Sequence, residues 1–217
     1  MRGFFVTGTG TEVGKTVVAA VIARSLAATG ARVAVFKPAV SGLDEGGEPD
    51  HAVLRRAAGS DQADDAIAPY RYGPPVSPHL GAALAGDTIE PARLVRVANA
   101  AAEDADQLVC EGVGGLLVPL TLGYLVRDLA RELGLPVVIA AAPGLGTINH
   151  TLLTIEASRA VGLAVSLVVL TPWPRDPSAV ERSNRDAIER LGGVRVEPLP
   201  ALDLGVPASW PSLRPGD

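Results

Sequence analysis

An α/β domain, with a doubly wound and mostly parallel sheet covered by helices on both faces, is the fold this sequence predicts, and three observations predict it. Short apolar runs rich in β-branched residues alternate with longer stretches of helical spacing. Of the 217 residues, 47% are hydrophobic but only 4% aromatic, so alanine and valine dominate and suit helices packed closely on a buried sheet. Glycine follows most of the helical stretches, where a left-handed residue ends a helix. A chain of this length buries one sizeable core, and the prediction is a single domain over residues 1–217.

In chain order, the run "GFFVT" (residues 3–7) reads as the first strand, and the apolar stretch 15–29, stopped by Gly30, as the first helix. "RVAVF" (32–36) is the second strand. A Gly/Pro/Asp-rich loop over 41–49 leads to a helix at 50–58, which Gly59 ends. Residues 59–78 read as a second long irregular connection, and such loops tend to serve the carboxyl edge of a parallel sheet. A helix at 91–102 precedes the strand "QLVC" (107–110). Three further pairs follow: a helix at 125–133 stopped by Gly134 and the strand 136–141; a helix at 147–161 stopped by Gly162 and the strand 164–170; a helix at 178–191 stopped by Gly192 and the strand 194–197. Parallel strands joined in this way need right-handed helical crossovers. The tail 204–217 shows no periodicity and is read as an edge cover.

The formal net charge of −5 leaves no broad cationic face, so nucleic acid is not an expected partner. A single cysteine, Cys110, forms no internal disulfide, and three scattered histidines offer no zinc-ligand spacing. The opening "FFV" is far too short for a signal-peptide core or a membrane span, so a cytoplasmic protein without a membrane partner is expected.

Between the first strand and the first helix lies "GTGTEVGKT", residues 8–16. Gly-Lys-Thr at a strand-to-helix junction is the context a Walker-type phosphate loop requires, although the spacing back to Gly8 is one residue longer than usual. Gly8, Gly10 and Gly14 let the backbone turn its amides around phosphate oxygens, aided by the positive end of the helix. Lys15 supplies a mobile charge for the β- and γ-phosphates, and Thr16 a hydroxyl for Mg²⁺. Glu12, Val13, Gly14, Lys15, Thr16 and Val17 are thus the predicted nucleotide-binding residues, and the fold narrows to a single P-loop NTPase domain.

"KPAVSG" (37–42) follows the second strand and aims the Lys37 ammonium at the crevice that holds the phosphate loop. Magnesium needs hard oxygen ligands. Glu111 ends the strand "QLVCE" and opens the turn "GVGG", an unusual place for a charge unless it meets a cation. Asp50 starts a helix, where N-cap and metal ligand are both open to it.

With the phosphate loop, "KPAVSG", "SPH", "EGVGG" and "GLGTINH" in this order and spacing, the chain resembles the dethiobiotin synthetases over roughly residues 4–202. The resemblance implies a substrate, 7,8-diaminopelargonic acid, that takes up CO₂ (or bicarbonate) as a carbamate, receives the γ-phosphoryl group of ATP and closes to a cyclic urea. It implies that Lys15 and Lys37 offset the gathering negative charge, that Thr11 and Ser41 hold the carbamate and amine end, and that Thr16, Asp50 and Glu111 hold Mg²⁺. It places Glu111, Gly112, Val113 and Gly114 against the nucleotide, with Thr171, Pro172, Pro200, Ala201 and Leu202 around the base. It also implies a homodimer with shared active sites, in which Gly146, Thr147, Ile148 and Asn149 at a helix start take the tail carboxylate of the neighbour's substrate. Where the family commonly carries an asparagine against adenine, this chain has Thr171, with fewer paired donors and acceptors, so other nucleoside triphosphates are expected to serve beside ATP.

The rival reading is a partner-regulated switch of the same fold. Partition ATPases carry an early-loop lysine that reaches across a dimer, and Gly10 occupies that position here. Cys110 reads as a small core residue and His79 as structural, while Trp173 fits either an aromatic wall or a rigid loop.

Overall fold

The computed structural model describes residues 2–216. The apolar N-terminal run becomes β1 (Gly3–Gly8), followed by α1 (Lys15–Ala27), β2 (Val33–Phe36), α2 (Asp50–Ala58), α3 (Asp64–Ile67), α4 (Pro78–Ala85) and α5 (Pro91–Glu103). The second half comprises β3 (Gln107–Gly115), β4 (Pro119–Thr121), β5 (Tyr124–Leu125), α6 (Val126–Leu133), β6 (Val137–Ala141), α7 (Thr147–Arg159), β7 (Val165–Trp173), α8 (Ala179–Gly192) and β8 (Val196–Pro200).

Six strands form one sheet in the order β2-β3-β1-β6-β7-β8, with every ladder parallel, and β4 pairs antiparallel with β5 as a separate hairpin. The chain leaves β1 toward β2 and leaves β3 toward β6, so the loops after these two neighbouring strands run to opposite sides. A crevice opens at such a switch point, and it is where the phosphate loop emerges. Alternation in β1 serves both faces: Phe5 joins a core with residues of α5, α6, α7 and α8, and Val6 joins one with α1 and α2. Among the described residues no helix is long and apolar enough to cross a membrane.

Four differences from the sequence expectation have local causes. Residues 59–78 are not wholly irregular, since α3 lies within them, and α4 begins at Pro78 in the first helical turn and ends at Gly86 with φ 65°. Strand β3 runs on through Glu111 to Gly115, and β7 on to Trp173, because both stay paired past the point where their sequences lose β-branched residues. The hairpin β4–β5 has strands too short for a periodic signal. The left-handed stop of α8 is Gly193 (φ 54°) rather than Gly192, which is the last helical residue and lies so close to α7 that a Cβ would stand 2.8 Å from Ile155 Cδ1.

The tail has a definite job. Trp210 and Leu213 are buried in the Val6-side core, which α1 and α2 alone leave open toward β7 and β8. Trp210 donates its indole N–H to Asp203 O at 2.8 Å, and Leu213 N–H donates to Ser25 Oγ on α1 at 2.9 Å. Trp210→Ala is expected to lower the unfolding free energy by about 3 kcal/mol in urea titration, a loss of large aromatic burial. A loss under about 1 kcal/mol would show that the tail merely rests on the surface.

Candidate active site

The phosphate loop is shaped by close approach. A Cβ at Gly8 would lie 2.7 Å from Val13 Cγ2 and 2.9 Å from both Gly10 O and Lys15 Cγ, so the loop folds back over the end of β1 only because that atom is missing. Glu12 (φ 57°) and Gly14 (φ 82°) are left-handed, which turns successive amides to one side. Gly14 is the N-cap of α1 and supplies no side-chain cap, so the first amides of the helix stay available to an anion. Lys15 is 8% exposed and donates from Nζ to Gly10 O at 2.7 Å, lying across the loop's mouth. Burial holds its pKa below the usual lysine range, with Glu111 opposing.

Lys37 comes from the end of β2, where its own N–H donates to Ile67 O at 2.8 Å and fixes the backbone. Its Nζ stands 2.7 Å from Asp50 Oδ2 and 2.6 Å from Glu111 Oε1, with the residue 3% exposed. Burial alone would push this ammonium's pKa down; the two carboxylates outweigh it, and the net shift is upward. Burial raises Glu111, with Lys37 opposing; for Asp50 burial also pushes upward, but Lys37, the Thr16 hydroxyl and Lys15 together outweigh it and the pKa falls. Two lysines and two carboxylates therefore meet in one charge-balanced cluster.

Thr16 Oγ1 lies 3.0 Å from Asp50 Oδ1 and 2.9 Å from Glu111 Oε1, although its single proton serves one of them at a time. Glu111 is fully buried, and its Oε2 has no hydrogen-bond partner among the described residues. An orphaned buried carboxylate oxygen is costly and is what a hard cation's ligand looks like without the cation. One hydroxyl and two carboxylates fit Mg²⁺, which keeps waters and binds phosphate oxygens in addition. Among the described residues no three His, Cys, Asp or Glu side chains gather to hold a metal, so the acids in this set number two and the third oxygen is the Thr16 hydroxyl. Asp50 is not an N-cap: that position is Pro49, and the Asp50 carboxylate faces Thr16 and Lys37.

The other predicted residues fall into separate places. Thr11 lines a cavity of about 340 Å³ with Gly144, Leu145, Thr147 and His150. Ser41 lines another, of about 150 Å³, with Glu48 and Asp50. Gly146 (φ 91°) is the N-cap of α7 without a side-chain cap, Thr147 is buried with its hydroxyl 3.4 Å from that of Thr151, and Ile148 and Asn149 lie in the first turn. Gly112 is packed against Phe5 and Val126, and Val113 against the same core. Gly114 (φ 58°) leads to Gly115, which pairs with Gly8 and brings this turn beside the phosphate loop.

Thr171 is 3% exposed, and its Cγ2 lies 2.6 Å from where a Cβ on Gly14 would be, so its methyl supports the phosphate loop from below. Pro172 is exposed on the same strand end, next to the Trp173–Pro200 pair of β7 and β8; Ala201 is exposed and Leu202 half-buried. Cys110 is buried, and burial pushes its thiol pKa well up; His79 is tied to Ser77 Oγ at 3.0 Å, a local structural bond. His150, the last residue of "GLGTINH", lines the cavity with Thr11, while Asn184, a buried polar residue on α8, escaped the sequence reading. Asn184 sits one helical turn before the buried Ile188, a spacing that could have marked it as inward-facing.

A family model described as "AAA domain" matches residues 2–201. The ATP-dependent dethiobiotin synthetase BioD of Anaeromyxobacter dehalogenans is 46% identical over 181 residues, 83% of this chain and 81% of that protein. The protein of the same description from Bacillus cereus is 40% identical over 197 residues, covering 90% of this chain and 81% of its own length. A solved structure of a ParA family ATPase from Chlorobium tepidum aligns with a TM-score of 0.58 over 95% of this chain and 89% of that one, at 14% identity, which shows the shared fold alone. With this identity over most of its length, and with Lys37 gathered on Asp50 and Glu111 beside a phosphate loop that Lys15 spans, the chain belongs to the family of ATP-dependent dethiobiotin synthetases.

Proposed function

We propose that the protein is a cyclo-ligase that uses a nucleoside triphosphate to convert 7,8-diaminopelargonic acid and CO₂ to dethiobiotin, in one cytoplasmic synthetase domain over residues 1–217. The observation that carries this reading, given the family, is the buried cluster in which Lys15, Lys37, Asp50 and Glu111 converge on the phosphate loop.

The chemistry needs cations more than it needs a general base. One amine of the substrate adds to CO₂ as a carbamate; a carbamate oxygen then takes the γ-phosphoryl group, releasing the nucleoside diphosphate. The second amine attacks the carbamate carbon, phosphate leaves, and a cyclic urea remains. Carbamate and triphosphate are both anionic, so their approach is unfavourable without positive charge held in place beforehand. Lys15 serves the phosphates and Lys37 the carbamate, while Thr11 and Ser41 orient the amine end. Thr16, Asp50 and Glu111 would hold Mg²⁺, which supplies charge neutralisation across the phosphates. The α7 start, Gly146 to Asn149, takes the tail carboxylate of the substrate from a second copy of the chain. The exposed Leu117, Leu145 and Leu153 support a dimer, since they surround adjoining cavities with apolar surface that a partner would cover.

The test is product formation with four nucleotides in parallel. Purified protein with the diamine, bicarbonate and Mg²⁺ is expected to yield dethiobiotin by mass spectrometry with ATP. Thr171 is buried under Gly14, so it has little freedom to read a base edge. Turnover with CTP, GTP and UTP is therefore expected within about 100-fold of ATP, or 3 kcal/mol of base discrimination. A wider gap would retire relaxed base selection. Hydrolysis that ignores the diamine but responds to a protein partner would favour the rival switch, against which glycine in place of the early-loop lysine at position 10 counts.

A further inference from the structure

Asn184 sets which way the peptide groups of the loop before α7 face. It stands on α8 at 7% exposure and donates from Nδ2 to Pro143 O at 3.0 Å and to Gly144 O at 3.1 Å. Gly144 O also accepts the Thr147 N–H at 3.2 Å. These carbonyls are thereby held toward α8 and the turn. The Ile148 and Asn149 amides, in the uncapped first turn of α7, find no acceptor among the described residues. Gly144 and Thr147 line the cavity that Thr11 also lines. A concavity that receives an anion needs this polarity, with amides inward and carbonyls outward.

The helices α7 and α8 are fastened a second time, where Arg159 Nη2 donates to Gly192 O at 2.7 Å, about 12 Å further along α8. That tie holds the pair together without touching the loop. The Asn184 contact is therefore dispensable for joining the helices, yet no other side chain bonds the Pro143 and Gly144 carbonyls among the described residues.

We propose that Asn184 is a positioning residue for carboxylate recognition: it keeps the Pro143 and Gly144 carbonyls against α8, so that the start of α7 presents amides alone to the substrate's tail. This rests on the reading above that the α7 start takes that carboxylate. Asn184→Asp keeps the shape but replaces the donors by oxygens that repel both carbonyls.

Steady-state kinetics with 7,8-diaminopelargonate and with 7,8-diaminononane, the same diamine without the carboxylate, test it. The variant is expected to raise KM for diaminopelargonate about tenfold, in keeping with the loss of buried hydrogen bonds. Its kcat, its KM for ATP and its KM for diaminononane are expected to stay within about twofold of wild type. Arg159→Met, which severs the other tie, is expected to leave both diamine KM values unchanged. Equal rises for the two diamines, equal effects of the two variants, or no rise at all would each overturn the inference while leaving the synthetase reading intact. A wild-type protein that consumes neither diamine overturns the synthetase reading and this inference with it. Should Asn184→Asp fail to fold by circular dichroism, Asn184→Leu, which removes every donor at similar size without adding charge, is held to the same outcomes.

Discussion

Lys37→Ala is expected to lower kcat about a thousandfold while the affinity for ATP changes less than about tenfold, since a preorganised charge acts mainly on the transition state. The ammonium is held by Asp50 and Glu111 rather than by the phosphate loop, so nucleotide binding loses little when it goes. The same substitution leaves the buried Glu111 carboxylate without its nearest cation, and that is expected to cost about 3 kcal/mol of stability in the ligand-free protein. Stopped-turnover kinetics, nucleotide titration and urea denaturation separate the two effects. Lys37→Gln, which restores a hydrogen-bond donor but no charge, is expected to recover part of the stability and none of the rate. Wild-type turnover in either variant removes Lys37 from the mechanism.

Gly14→Ala is expected to weaken nucleotide binding at least about 100-fold, roughly 3 kcal/mol. Two independent penalties meet at this residue. Its φ of 82° lies where an L side chain is disfavoured by about 1–2 kcal/mol. The new Cβ would also stand 2.6 Å from Thr171 Cγ2, and Thr171 is too buried to move aside. The loop would have to lift, and its amides would leave their phosphate positions. Thr171→Ser deletes the obstructing methyl, so in the Gly14→Ala background it is expected to restore about tenfold of the lost affinity, a coupling read by a double-mutant cycle. Additive behaviour would mean that the clash is relieved elsewhere.

Much of the site was legible because its chemistry is written in contiguous motifs. "GTGTEVGKT" carries its own geometry in its glycines, and its Lys15 and Thr16 are placed by the helix that starts there. Lys37 and Glu111 could be picked out as charges that end the apolar runs of two strands, toward the edge where a parallel sheet opens its crevice. That they touch each other could not, because 74 residues separate them along the chain and only the β1-centred strand order brings β2 and β3 together. The role of Asp50 was open for a similar reason: a helix-start aspartate looks the same whether it caps or coordinates, and its partners Thr16 and Lys37 come from other elements.

By itself, then, the sequence determined the types of the longer elements, the phosphate loop, and the two lysines and two acids as candidates, since each rests on residues close together in the chain, whose spacing dictates backbone geometry directly. Only the tertiary structure decided that these charges balance in a single buried cluster, that Thr171 lies beneath Gly14 and that Trp210 closes the second core face. It also decided that Asn184 grips the loop before α7. These are contacts between distant segments, set by which faces of strands and helices must be buried together, and no local pattern encodes the partner.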